Sequence, residues 1–192
     1  MGAQPTYMGR PNLREKRRAE ITSAFSRVLA QRGYAGATIV AVAEEAGVAP
    51  GLIHHHFADK ADLLASLLED LVGRFRRRTT GRGAATDPLG AYVSAALDLE
   101  GDADPVTARC WVGVLAEAVR DPGLGHRVRR LVDAEIETIR HRSSVKLSAR
   151  EASAVLALVL GSLVLGAFAP GRATGFAGPA ARALVRALEG RT

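Results

Sequence analysis

A chain of 192 residues can bury a real core in one or two domains, and 47% hydrophobic against 24% charged residues marks a globular protein, not a disordered one. Its single cysteine, Cys110, excludes an intramolecular disulfide framework and a cysteine-rich zinc site. The net charge of +6 is uneven, with 13 Lys and Arg against 8 Asp and Glu in residues 1–82 and 13 against 12 in the rest, so the N-terminal part favours a polyanionic partner, nucleic acid before an anionic membrane surface.

Residues 1–12 contain no apolar run of the kind a signal peptide needs, so the expected compartment is the cytoplasm. Beyond them the pattern is helical, without strand-like alternation, and predicts an all-α chain of about nine helices. The first runs from about Leu13 to Arg32, with Ile21, Phe25, Val28 and Leu29 on one face and Gly33 as its stop. Its opening run, Arg14 to Arg18, puts positive charge where the helix dipole disfavours it, a penalty that a nearby phosphate backbone offsets. Thr38 is an N-cap for a short second helix with Ile39, Val42, Ala43 and Ala46 inward, and Gly47 ends it. A third short helix begins near Ala49 and Pro50 and ends around His56 and Phe57. The fourth starts at Asp59 or Lys60, carries the stripe Leu64, Leu67, Leu68, Leu71 and Phe75, and dissolves into the basic, Gly-rich stretch "RFRRRTTGRGAATDP". Later helices are expected over Pro88–Gly101, Pro105–Arg120 with Asp104 as N-cap, Gly123–Ser143, Ser148–Phe168 and Pro179–Glu189, with residues 170–179 as a loop.

The second and third helices, joined by Ala46-Gly47-Val48-Ala49, have the form of a helix-turn-helix. In that unit two short helices cross steeply over a turn of three or four residues, and the second enters the major groove. Gly47 tolerates the positive φ of the turn, Ala43 lets the helices approach, and Val48 and Ile53 pin the second helix to the core. Thr38 presents a hydroxyl and helix N-terminal amides to a phosphate. Candidate DNA-contacting residues are Arg14, Thr38, Val48, Ala49, Pro50, Gly51, His54, His55 and Lys60.

The segment "TIVAVAEEAGVAPGLIHHHFADKADLL" resembles the TetR family signature, which places a Thr-capped helix, an A-G-V turn, a short recognition helix and a following Lys in this order. With the preceding helix the resemblance covers roughly residues 13–72. Phe57 and Lys60 match positions that in that family pack the motif and touch phosphate. "WVGVLAEAVRDPGL" and "GLIHHHFADKADLL" are similar to the BetI-like, choline-repressor branch. Ala49 stands where the family often has Ser or Thr, so a methyl replaces a hydrogen-bond donor. His54 stands where Tyr is frequent, and with His55 it implies DNA affinity that changes with pH around 6–7. The resemblance implies a DNA-binding domain over 13–59, a ligand-binding and dimerisation domain over 60–192, and a repressor released from a palindromic operator by a small-molecule effector. Activation instead of repression stays open.

His54–His56 do not converge on a metal, because consecutive helical residues point about 100° apart; only Asp59, four after His55, has chelating spacing. No nucleophile motif, phosphate-cradling loop or Cys–His pair is present, so neither catalytic residue nor cofactor nor metal is expected. Ala152–Pro170 runs without a charge for nearly the length of a membrane span. Its small residues, the charges at Arg150 and Glu151 and the capping box Ser148–Glu151 favour a buried helix of a dimer. The expected interface is Leu156, Leu160, Leu163, Ala167, Arg182, Val185 and Leu188, and the partners are operator DNA, an effector and a second copy, with no membrane. Candidate pocket residues are Leu67, Leu71, Tyr92, Cys110, Trp111, Val114, Glu117 and Phe168. Trp111 and Tyr92 suit an aromatic cage for a quaternary ammonium such as choline, with Glu117 as counter-charge.

Overall fold

The helix boundaries of the computed structural model, which describes residues 13–80, 87–97, 105–169 and 177–190, follow from local capping chemistry. Thr38 accepts the amide of Ala41 at 3.1 Å and opens α2 (Ile39–Ala46), which follows α1 (Leu13–Gly36). Gly47 closes α2 in the left-handed region at φ 64°, the conformation that an L side chain resists. Pro50 sits in the first turn of α3 (Pro50–His56), and the Asp59 carboxylate accepts the Asp62 amide at 2.8 Å where α4 (Lys60–Thr80) begins. After α5 (Pro88–Leu97) and α6 (Pro105–Ala118), Asp121 caps α7 (Pro122–Arg142) by accepting the Leu124 amide at 2.7 Å. The reciprocal Ser148–Glu151 box opens α8 (Ala149–Phe168), and α9 (Ala177–Glu189) follows. Among the described residues every regular element is a helix.

Some boundaries differ from those the sequence suggests. Helix α1 continues past Gly33 to Gly36, with the bend confined to Gly33 at φ 67°. Helix α4 does not dissolve at its arginines, because Phe75 and Thr79 remain buried and carry the helix on to Thr80. Helix α6 stops at Ala118, and α9 begins at Ala177, two residues into the expected loop. The expected Asp104 cap, the end of α5 at Gly101 and residues 81–86 and 170–176 lie outside the described residues.

Two buried clusters organise the chain. The first holds Ile21, Phe25, Val28 and Leu29 of α1, Val42 and Ala43 of α2, Ile53 and Phe57 around α3, and Leu63 to Leu71 of α4. Cys110 and Val114 of α6 and Leu124 of α7 complete it, so the N-terminal helices rest directly on the C-terminal ones. The second joins Phe75 at the end of α4 to Leu89, Tyr92 and Val93 of α5, Ile139 of α7, the inner face of α8, and Ala181, Val185 and Leu188 of α9. Full burial of each large side chain stabilises by about 1.5–3 kcal/mol, so the shared helix α4 is anchored in both cores. Trp111 packs against both as well. Displacing one cluster therefore strains the other.

Helix α8 is the one described helix long and apolar enough to cross a membrane. Its inner face carries Ala152, Val155, Leu156, Val159 and Leu163 into the second core, with Ser162 and Gly166 buried beside them. The small Ser162 and Gly166 thus permit close packing inside the protomer. Ala154, Ala157, Gly161, Val164 and Phe168 are exposed on the opposite face.

Candidate nucleic-acid interface and effector pocket

Helix α3 is held from one side only. Ile53 is fully buried, while His56 and Phe57 are 9% and 2% exposed. Arg18 of α1 reaches across to this end of α3, donating to the His56 carbonyl, stacking 4.1 Å from the Phe57 ring centroid and lying 3.8 Å from an Asp62 oxygen. Ala49, Pro50, Gly51, His54 and His55 are all exposed. Among the described residues a Cβ added at Gly51 would meet no atom within 4 Å, so that part of the helix has open space beside it. The geometry is that of a helix with a free edge.

The other DNA-contact candidates divide. Arg14 is exposed in the first turn of α1, and Thr38 is exposed with its hydroxyl already capping α2. Val48 is half-buried against the first core. Lys60 is half-buried, its ammonium donating to the Tyr34 carbonyl at 2.8 Å and lying 4.0 Å from the Tyr34 ring centroid. This lysine ties the end of α1 to the start of α4. Among the described residues no cluster of three or more His, Cys, Asp or Glu is arranged to hold a metal ion. His56 is instead a packing residue, its Nδ1 buried without a hydrogen-bond partner. Burial, followed by the neighbouring charges of His55, Arg14, Arg18 and Arg17, lowers its pKa and favours the neutral ring.

A second candidate site lies between α4, α6, α7 and α8. Leu68, Val72 and Phe75, then Trp111 and Leu115, then Val128, Leu131, Val132 and Glu135, and finally Leu156, Val159, Leu160 and Leu163 enclose a pocket of about 600 Å³ including its mouth. That apolar lining with one polar group is typical of small-molecule sites. Glu135 is the one charged group on the wall, and its carboxylate accepts the Tyr92 hydroxyl at 2.8 Å. Burial and the adjacent Glu135 raise the Tyr92 pKa, which keeps the phenol as the donor.

Residues 21–67 match the sequence profile of the bacterial regulatory proteins of the tetR family. Over 173 residues, 85% of this chain and 89% of the relative, the sequence is 30% identical to the HTH-type transcriptional regulator BetI of Burkholderia lata. The chain belongs to the tetR family. It is also 36% identical over 124 residues to BetI of Paraburkholderia phytofirmans, a match that spans 62% of that relative's length. The crystal structure of a transcriptional regulator from Rhodococcus sp. Rha1 superimposes with a TM-score of 0.78 at 23% identity, covering 89% of this chain and 95% of the other, so the all-α architecture is that of this family's fold.

Within this fold the pocket candidates named from sequence are dispersed. Trp111 lines the apolar pocket. Leu67, Leu71, Cys110 and Val114 lie in the first core, and the Cys110 thiol donates to the Ser26 carbonyl at 3.2 Å. Tyr92 is fully buried behind Glu135, and Phe168 is 70% exposed at the end of α8. Glu117 lies in a separate cleft with Tyr34, Asp59 and Asp121, away from Trp111.

The interface candidates occupy several environments within the protomer. Leu156, Leu163, Ala167, Val185 and Leu188 are buried within the protomer, and Leu160 faces the pocket. Arg182 donates to the Ser94 hydroxyl at 3.1 Å, joining α9 to α5. On α8 large and small residues occur on both faces: Leu156, Ser162 and Gly166 are buried, and Ala157, Gly161, Val164 and Phe168 are exposed. Sequence reasoning missed the α7 wall, whose signal was the spacing Val128, Leu131, Val132 and Glu135 in a charged helix. It also missed Arg18, which had no signal beyond its place in a basic run.

Proposed function

We propose that this protein is a DNA-binding transcription regulator that works as a homodimer, and specifically a repressor released from a palindromic operator by a small-molecule effector. The carrying observation is the one-sided anchoring of α3, whose Ala49–Gly51, His54 and His55 edge is open to a duplex while Ile53, His56 and Phe57 fix it from behind. Residues 13–59 act as the DNA-binding unit, and residues 60–192 carry the effector pocket and the dimer contact. A DNA partner places the protein in the cytoplasm. The BetI relatives favour that branch of the family.

Two recognition helices must sit about 34–36 Å apart to read successive major grooves. The outward stripes Ala154, Ala157, Gly161 and Val164 on α8 and Ala180, Ala183 and Ala187 on α9 support a second copy as the partner. Their small side chains let four helices approach closely around a two-fold axis. An effector in the pocket between α4, α6, α7 and α8 acts through α4, which belongs to both cores, by binding one separation of the heads more tightly than the other.

Selection of genomic fragments with purified protein, followed by footprinting, tests the reading. The expected result is a palindromic site protected on one face, with affinity falling steeply as salt rises, because phosphate contacts release counterions. Recovery of no preferred sequence, or binding indifferent to salt, would overturn it.

A further inference from the structure

The apolar pocket does not end at its mouth. Leu68, Val72 and Leu131 of its wall also line an open groove between α4 and α7, so pocket and groove are neighbours across shared side chains. Three guanidinium groups edge that groove: Arg76 from α4, and Arg127 and Arg130 from α7. Among the residues lining the groove the one acid is Glu69, 3.6 Å from Arg127, which leaves an excess of positive charge there. Deeper in, the Glu135 carboxylate is already occupied by the Tyr92 hydroxyl at 2.8 Å. Among the residues that line pocket and groove, the charge in excess is therefore cationic.

Resting on the reading of this pocket as the effector site, we infer that the effector is an amphipathic anion, with an acyl chain among Trp111, Val128, Leu156 and Leu160 and an anionic head at Arg76, Arg127 and Arg130. The planar guanidinium matches carboxylate and phosphate oxygens in paired, charge-assisted hydrogen bonds, and exposed arginines at a rim reach such a head without desolvating it fully. Apart from Glu135 and the indole N–H of Trp111 the side chains of the wall are hydrocarbon, so it suits methylene groups. A carboxylate head and the phosphates of an acyl thioester share this chemistry.

Trp111 is the only tryptophan in the chain and lies in the pocket wall, so its emission reports occupancy directly. The full-length protein is titrated with decanoate, decanoyl-coenzyme A, coenzyme A alone and decyltrimethylammonium, a cation with the same chain. Decanoate or decanoyl-coenzyme A is expected to shift the emission, and the tighter of the two identifies the source of the head. The octanoyl homologue of that tighter ligand should bind on the order of tenfold more weakly, the loss set by two methylenes. The double variant Arg76→Glu with Arg130→Glu should weaken binding at least tenfold, with an unchanged thermal melt.

Tighter binding of decyltrimethylammonium that depends on Glu135 would overturn the inference, as would coenzyme A binding equally well without its chain, or no response to either anionic amphiphile. If the double variant fails to fold, the comparison of anionic and cationic heads on the unaltered protein still decides. Operator binding without any ligand tests the regulator reading by itself, so intact DNA binding with no anionic amphiphile bound would fail this inference alone.

Discussion

The Arg18 guanidinium stacks 4.1 Å from the Phe57 ring centroid, across the junction between α1 and the end of α3. The same side chain donates to the His56 carbonyl, so a single residue of the first helix fixes the angle at which the third is presented. Arg18→Ala removes a charge-assisted hydrogen bond and a cation–π contact and is expected to cost about 1–3 kcal/mol, because the arginine is partly exposed. Thermal melts should register that loss. Operator affinity should fall further than the stability loss alone requires. Arg18→Lys should recover little, since an ammonium cannot stack and bond with one planar group.

His56 makes the stability of the head depend on pH. Burial holds its folded-state pKa below the ordinary 6.5, so below that pH the unfolded chain takes up a proton that the folded chain refuses. Stability is then full above about 6.5 and declines as the pH falls toward the lowered folded value. Urea midpoints measured between pH 8 and pH 5 should drop. In His56→Gln the part of the slope due to this residue should disappear, and an unchanged slope would remove His56 as its cause.

Gly51 separates recognition from folding. Open space beyond its Cα means that Gly51→Arg places a long side chain outward without a clash, and the lost glycine flexibility should stabilise the helix by about 0.5–1 kcal/mol. Specific operator binding should be abolished while the melting temperature holds or rises. Footprints identical to those of the unaltered protein would take this edge of α3 out of the groove.

The outward face of α8 gives a test of assembly. Val164 is 37% exposed, and Gly161 has open space around it. Ala157→Glu combined with Val164→Glu should leave the protomer folded, since neither position supports its core. Light scattering coupled to gel filtration should then report a monomer. Loss of operator binding by at least two orders of magnitude should accompany it, because one helix-turn-helix alone makes too few contacts. A variant that stays dimeric would move the contact off this stripe.

Local chemistry by itself determined where most helices begin and what the turn at Gly47 must be. Thr38, Gly47, Pro50, Asp121 and the Ser148–Glu151 pair act on backbone groups within four residues, so their effect is written in adjacent letters. The inward Ile53 and outward Gly51 and His54 were legible for the same reason, because helical period alone assigns faces on a short amphipathic segment. Tertiary structure decided what period cannot. Helix α8 is apolar on every side, so its letters do not say whether Leu156 faces the pocket, the core or a second copy; packing against α6 and α7 put Leu156 in the pocket wall and left Ala157, Gly161 and Val164 outward. The same holds for Glu135 and Tyr92, 43 residues apart in sequence, whose hydrogen bond engages the pocket's one carboxylate, and for the arginines of α4 and α7 that meet along the neighbouring groove. Which side chains meet over such separations depends on the shapes that several helices adopt together, and no short window of sequence contains that information.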